Sequence, residues 1–162
     1  MKKYGTWVRR TRRMRKVAAI SGIAMVAIGF LAGCAHVMTM IHGGPERPPE
    51  SEFGFGPRIS TNGIYEVTIE PTEPLAVRRM HTVKLKVGTV GGGAVDGAEI
   101  VVDGGMPQHG HGLPTNPRVT QPLGEGVYQV DGVRFNMGGW WELKFRIASA
   151  AGTDSVVFNL DL

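Results

Sequence analysis

From residue 62 to the C-terminus, apolar residues recur at every second position, and that alternation commits the chain to half-buried strands. Tyr65, Val67 and Ile69 alternate with Glu66, Thr68 and Glu70. His81, Val83, Leu85 and Val87 alternate with Thr82, Lys84 and Lys86. Further strands are expected over residues 98–103, 118–121, 127–130 and 133–136, with Asp131-Gly132 turning the chain between the last two. Trp141, Leu143, Phe145 and Ile147 face one way and Trp140, Glu142, Lys144 and Arg146 the other, and residues 156–162 end the pattern. Gly91-Gly92-Gly93 and Leu123-Gly124-Glu125-Gly126 supply turns. Seven to eight short strands without a helix predict an all-β, immunoglobulin-like antiparallel β-sandwich over residues 59–162. Trp141, Phe145, Phe158 and Tyr128 are expected in its core, while Trp140 shares a face with charges and is a candidate partner contact.

The N-terminus sets the compartment. Residues 1–16 carry eight basic side chains and no acidic one, residues 17–33 are uncharged, and Leu31-Ala32-Gly33-Cys34 follows. That is the layout of a secretory signal. The tetrapeptide resembles a bacterial lipobox, which implies a lipidated Cys34 as mature N-terminus after removal of residues 1–33. Met14 is an alternative start, and Thr11-Arg12-Arg13 is a weak twin-arginine pattern. An uncleaved anchor helix is the other reading, since the uncharged run reaches Gly44. Either way the expectation is a membrane-anchored, extracytoplasmic (periplasmic) protein. Residues 34–58, rich in Gly and Pro, read as a tether; His36, Met38, Met40 and His42 alternate within it. After residue 33 there remain ten basic and 14 acidic residues, a net charge of −4, so the basic surface that nucleic-acid binding needs is missing.

One stretch stands apart from the strand pattern. Residues 104–117, GGMPQHGHGLPTNP, hold four glycines, three prolines, Met106, His109 and His111. Such a segment suits an ordered loop, where binding residues collect. If it is extended, His109 and His111 point the same way. Imidazole with a thioether suits copper, sulfur favouring the cuprous state. His81, at the start of a strand, is a candidate fourth ligand, and Met80, Met137 and Asp103 are lesser ones. The same histidines read equally well as pins that bond backbone carbonyls across the sandwich end. Catalysis is not expected: there is no nucleophile elbow, no free thiol after lipidation and no close pair of carboxylates.

The runs GGMPQHGHGLPTNP and FNMGGWWEL, within residues 65–162, resemble the YtkA-like domain, which is often grouped with FixH-like proteins. The resemblance implies an exported immunoglobulin-like sandwich on a lipid or helix anchor, with a loose association to copper supply in respiratory oxidase assembly. Met106, His109 and His111 match that family's loop, and His81 matches a histidine that opens the second strand. The lipobox departs from the plain anchor of FixH. Two functions follow as expectations: a copper-binding module serving metal supply, or a metal-free interaction lipoprotein docking a protein of a respiratory or metal-handling complex.

Overall fold

The structure, a computed structural model, describes residues 44–162. The signal segment, Cys34, His36, Met38, Met40 and His42 lie outside the described residues. Nine strands are present: β1 (Arg58–Ile59), β2 (Tyr65–Pro71), β3 (Met80–Thr89), β4 (Glu99–Met106), β5 (His111–Gly112), β6 (Arg118–Gly124), β7 (Val127–Arg134), β8 (Trp140–Ser149) and β9 (Gly152–Asp161). All pairings between them are antiparallel, in the order β1-β2-β3-β7-β6-β4-β8-β9, with β5 on β4. β6 and β4 share one pair, Val101 with Arg118, so the circuit is two sheets joined at a narrow seam: a β-sandwich.

The alternation is realised as read. Tyr65, Val67, Ile69, Val83, Leu85, Val87, Trp141, Leu143, Phe145, Ile147 and Phe158 fill the space between the sheets. Each is fully buried or nearly so, which at roughly 1.5–3 kcal/mol per side chain is the main favourable term of the fold. Two expectations are corrected. Asp131-Gly132 is not a turn; β7 runs through it, and the register against β3 slips between His81 and Thr82, a bulge for which Gly132 supplies φ 87°. The Gly-rich stretch at 104 begins as strand, because β4 continues to Met106.

For its described residues, from Arg47 to Arg58, the tether reading is also corrected. Arg47 bonds Glu50 (3.1 Å) and Asp161 (3.0 Å) and sits 4.3 Å over the Phe53 ring. A 3-10 turn at Glu50–Glu52 follows, the Gly54 amide donates to Asn159 O (2.9 Å), and the Ile69 amide donates to Phe55 O (2.7 Å). One aromatic residue and a sheet edge with free backbone groups hold a segment whose Gly and Pro content reads as linker.

The end of the sandwich away from residue 106 is sealed by Asp154. Its carboxylate accepts from Ser60 Oγ (2.6 Å), the Asn62 amide (2.9 Å), Asn62 Nδ2 (2.9 Å) and the Ser155 amide (2.8 Å). Burial pushes the Asp154 pKa up, but these bonds outweigh it and hold it at about 2.

Candidate functional site

The site lies where β4 turns into β5. Pro107, with its fixed φ, opens a 3-10 turn at Pro107–His109, and Gly110 closes it in the left-handed region (φ 67°), donating its amide to Met106 O (3.0 Å). The chain comes back in register, with His111 opposite Met106 and Gly112 opposite Gly105. The contact is close: a Cβ on Gly105 would lie 2.5 Å from His111 O, and one on Gly104 2.4 Å from Glu142 O. These glycines let β4 be approached tightly on both sides.

His109 and His111 are both exposed, and their rings lie 5.8 Å apart at an interplanar angle of 23°. They are brought together by the turn rather than by an extended segment. Neither ring has a hydrogen-bond partner among the described residues. His111 meets the edge of the Trp141 ring at 6.0 Å. Met106, opposite it in the ladder, is 3% exposed, and its methyl lies 3.2 Å from where a Gly139 Cβ would stand. A shallow cleft of about 310 Å³ beside them is lined by Asp103, Glu142 and Lys144, the last two paired at 2.7 Å. Asp103 turns to its own neighbour, accepting from the Gly104 amide (2.7 Å).

His81 is not part of this group. It is 2% exposed; Nε2 lies 2.8 Å from Ala76 O and 3.1 Å from Ala76 N, so one tautomer donates to the carbonyl and the other accepts from the amide. Nδ1 lies 3.4 Å from Glu73 Oε1, within ion-pair range but without hydrogen-bond geometry. Its ring packs on Phe135 (6.4 Å), Phe135 on Trp141 (5.3 Å), and Trp141 is the ring of this chain that meets His111, so two aromatic rings stand between. No cluster of three or more His, Cys, Asp or Glu suited to a metal occurs among the described residues.

Trp140, expected as an exposed contact, is 4% exposed. Its indole donates to Asn159 Oδ1 (2.9 Å), and Asn159 Nδ2 reaches Glu52 O (3.4 Å). Asn159 thus links Trp140 to the segment over residues 47–54. The sequence reading missed Trp141 as a wall of the site, because an inward aromatic on a strand reads only as core.

For copper the donor set fits in part. Two free imidazoles and an inward thioether suit a soft ion, whereas His81, committed to the 73–76 segment, does not join them.

A search of curated proteins returns no match. Among solved structures the chain is similar to the "ZirS C-terminal Domain", with 16% identity, 88% of this chain and 97% of that chain covered, and a TM-score of 0.37. The YtkA-like family model matches residues 60–146, more than half of the sequence and the whole span from the Asp154-bound Ser60 through the histidine turn to β8, and the chain belongs to that family.

Proposed function

We propose that the protein is a non-catalytic, membrane-anchored extracytoplasmic module that binds copper at the β4–β5 turn through His109 and His111, with Met106 as the inner donor. The carrying observation is the pair of exposed, near-parallel imidazoles, 5.8 Å apart and without a hydrogen-bond partner among the described residues, on a turn fixed by backbone contacts. Both rings are open to an ion from solvent, whereas His81 is buried with its Nε2 committed to Ala76. Bound copper would supply a soft, exchangeable centre, in keeping with storage or hand-over to an acceptor. The alternative, a metal-free docking lipoprotein, keeps the ordered loop but not the exposed indole, since Trp140 is 4% exposed.

Titration of the full chain in detergent with Cu(I) against a competing chelator tests this, beside a His109→Ala/His111→Ala variant. One equivalent of Cu(I) lost in the variant is the expected result. An identical isotherm for both proteins overturns the proposal and returns the loop to a docking role.

A further inference from the structure

The reading above leaves the copper with two imidazoles and one interior thioether, and with His81 out of reach. The described residues contain three methionines and three histidines, and all six lie at one end of the sandwich. Met80 and His81 begin β3, Met106 ends β4, His109 and His111 form the turn, and Met137 sits in the connection from β7 to β8. Two of the thioethers are largely exposed, Met80 at 59% and Met137 at 42%, although burial of either would have been favourable.

The backbone of Met137 is tied to the site by Trp141. The Trp141 indole donates to Met137 O (3.0 Å), and the same ring takes His111 against its edge. Met106 closes the triangle, its methyl packed at Gly139, two residues beyond Met137. The connection is held firmly: Gly139 and Leu162 exchange amide bonds (2.7 and 3.2 Å), and a Cβ on Gly138 would lie 2.7 Å from Leu162 O. Met80 has no such link among the described residues; it pairs with Arg134.

Resting on the copper reading, we infer that Met137 is the exposed thioether donor of the site and makes it selective for Cu(I) over Cu(II). Imidazole serves both oxidation states, whereas thioether sulfur favours the cuprous one. On this assignment a second sulfur joins Met106 and weights the site toward Cu(I), and an exposed donor is the one an acceptor's ligand can displace.

The test uses the full chain in detergent with ¹³C-methyl-labelled methionine, its Met80, Met106 and Met137 signals assigned by single Leu substitutions, and Ag(I) as a non-oxidisable probe for Cu(I). The Met137 methyl signal is expected to move on adding Ag(I) and the Met80 signal to stay. Met137→Leu, which keeps the volume, is expected to weaken Cu(I) binding at least tenfold and to leave Cu(II) binding within twofold. If Met137→Leu binds Cu(I) as the parent does, while His109→Ala/His111→Ala loses it, the Met137 assignment is overturned and the copper reading stands. Equal loss of Cu(I) and Cu(II) in Met137→Leu overturns the selectivity. If the parent chain has no Cu(I) site that the histidine variant removes, both readings fall.

Discussion

Gly105 and Gly112 face each other across the β4–β5 ladder, yet they tolerate a methyl group very differently. A Cβ on Gly105 would stand 2.5 Å from His111 O and 3.0 Å from Gly112 Cα, whereas one on Gly112 meets only Gly104 O, at 3.4 Å. The first contact must open by roughly 1 Å to become ordinary, and the atoms in the way are backbone, so no side chain can swing aside. β5 is two residues long, so the ladder parts before the sandwich distorts. That limits the cost to about two backbone hydrogen bonds, about 2 kcal/mol. For a domain of about 120 residues this lowers Tm by about 8 °C. Gly112→Ala is expected within about 2 °C of the parent, its change lying inside the usual surface range. Thermal unfolding by circular dichroism gives both numbers, and the His109 and His111 ring proton shifts report whether the turn has moved. Equal Tm values and unmoved ring shifts in Gly105→Ala would refute the claim that backbone contact positions the imidazoles.

The His81→Gln variant is expected to lose about 1–3 kcal/mol by unpinning the 73–76 segment while binding Cu(I) as the parent does, measured by unfolding and by chelator competition. Trp140→Phe leaves Asn159 Oδ1 buried without its donor, costing about 1–3 kcal/mol, and proteolysis between residues 47 and 54 should quicken. Asp154 has its pKa depressed to about 2 in the folded chain, against about 3.9 in an unfolded one. Its stabilisation is therefore full above pH ~4 and fades as pH falls toward 2. A Tm profile over that window should show the slope, and Asp154→Asn should lower Tm at neutral pH and flatten the slope.

The strands were legible because alternation is enforced locally: each inward residue of β2, β3 and β8 must be apolar whatever lies opposite. Position across the sandwich is not written that way. His81 and His111 both sit at the loop end, but whether they meet depends on Phe135 and Trp141, residues whose inward parity says core and nothing about what they separate. Trp140 shows the same limit, since its partner Asn159 reaches in turn to Glu52, in a stretch whose composition reads as linker. Asp131-Gly132 carries the signal of a turn and the outcome of a bulge, because one left-handed glycine serves either and the partner strand decides.

The two ends of the sandwich differ in what their side chains do for one another. At one, Asp154, Ser60 and Asn62 satisfy each other. The other gathers the described histidines and methionines, and the chain enters there as well, Arg47 being paired to Asp161 beside β8.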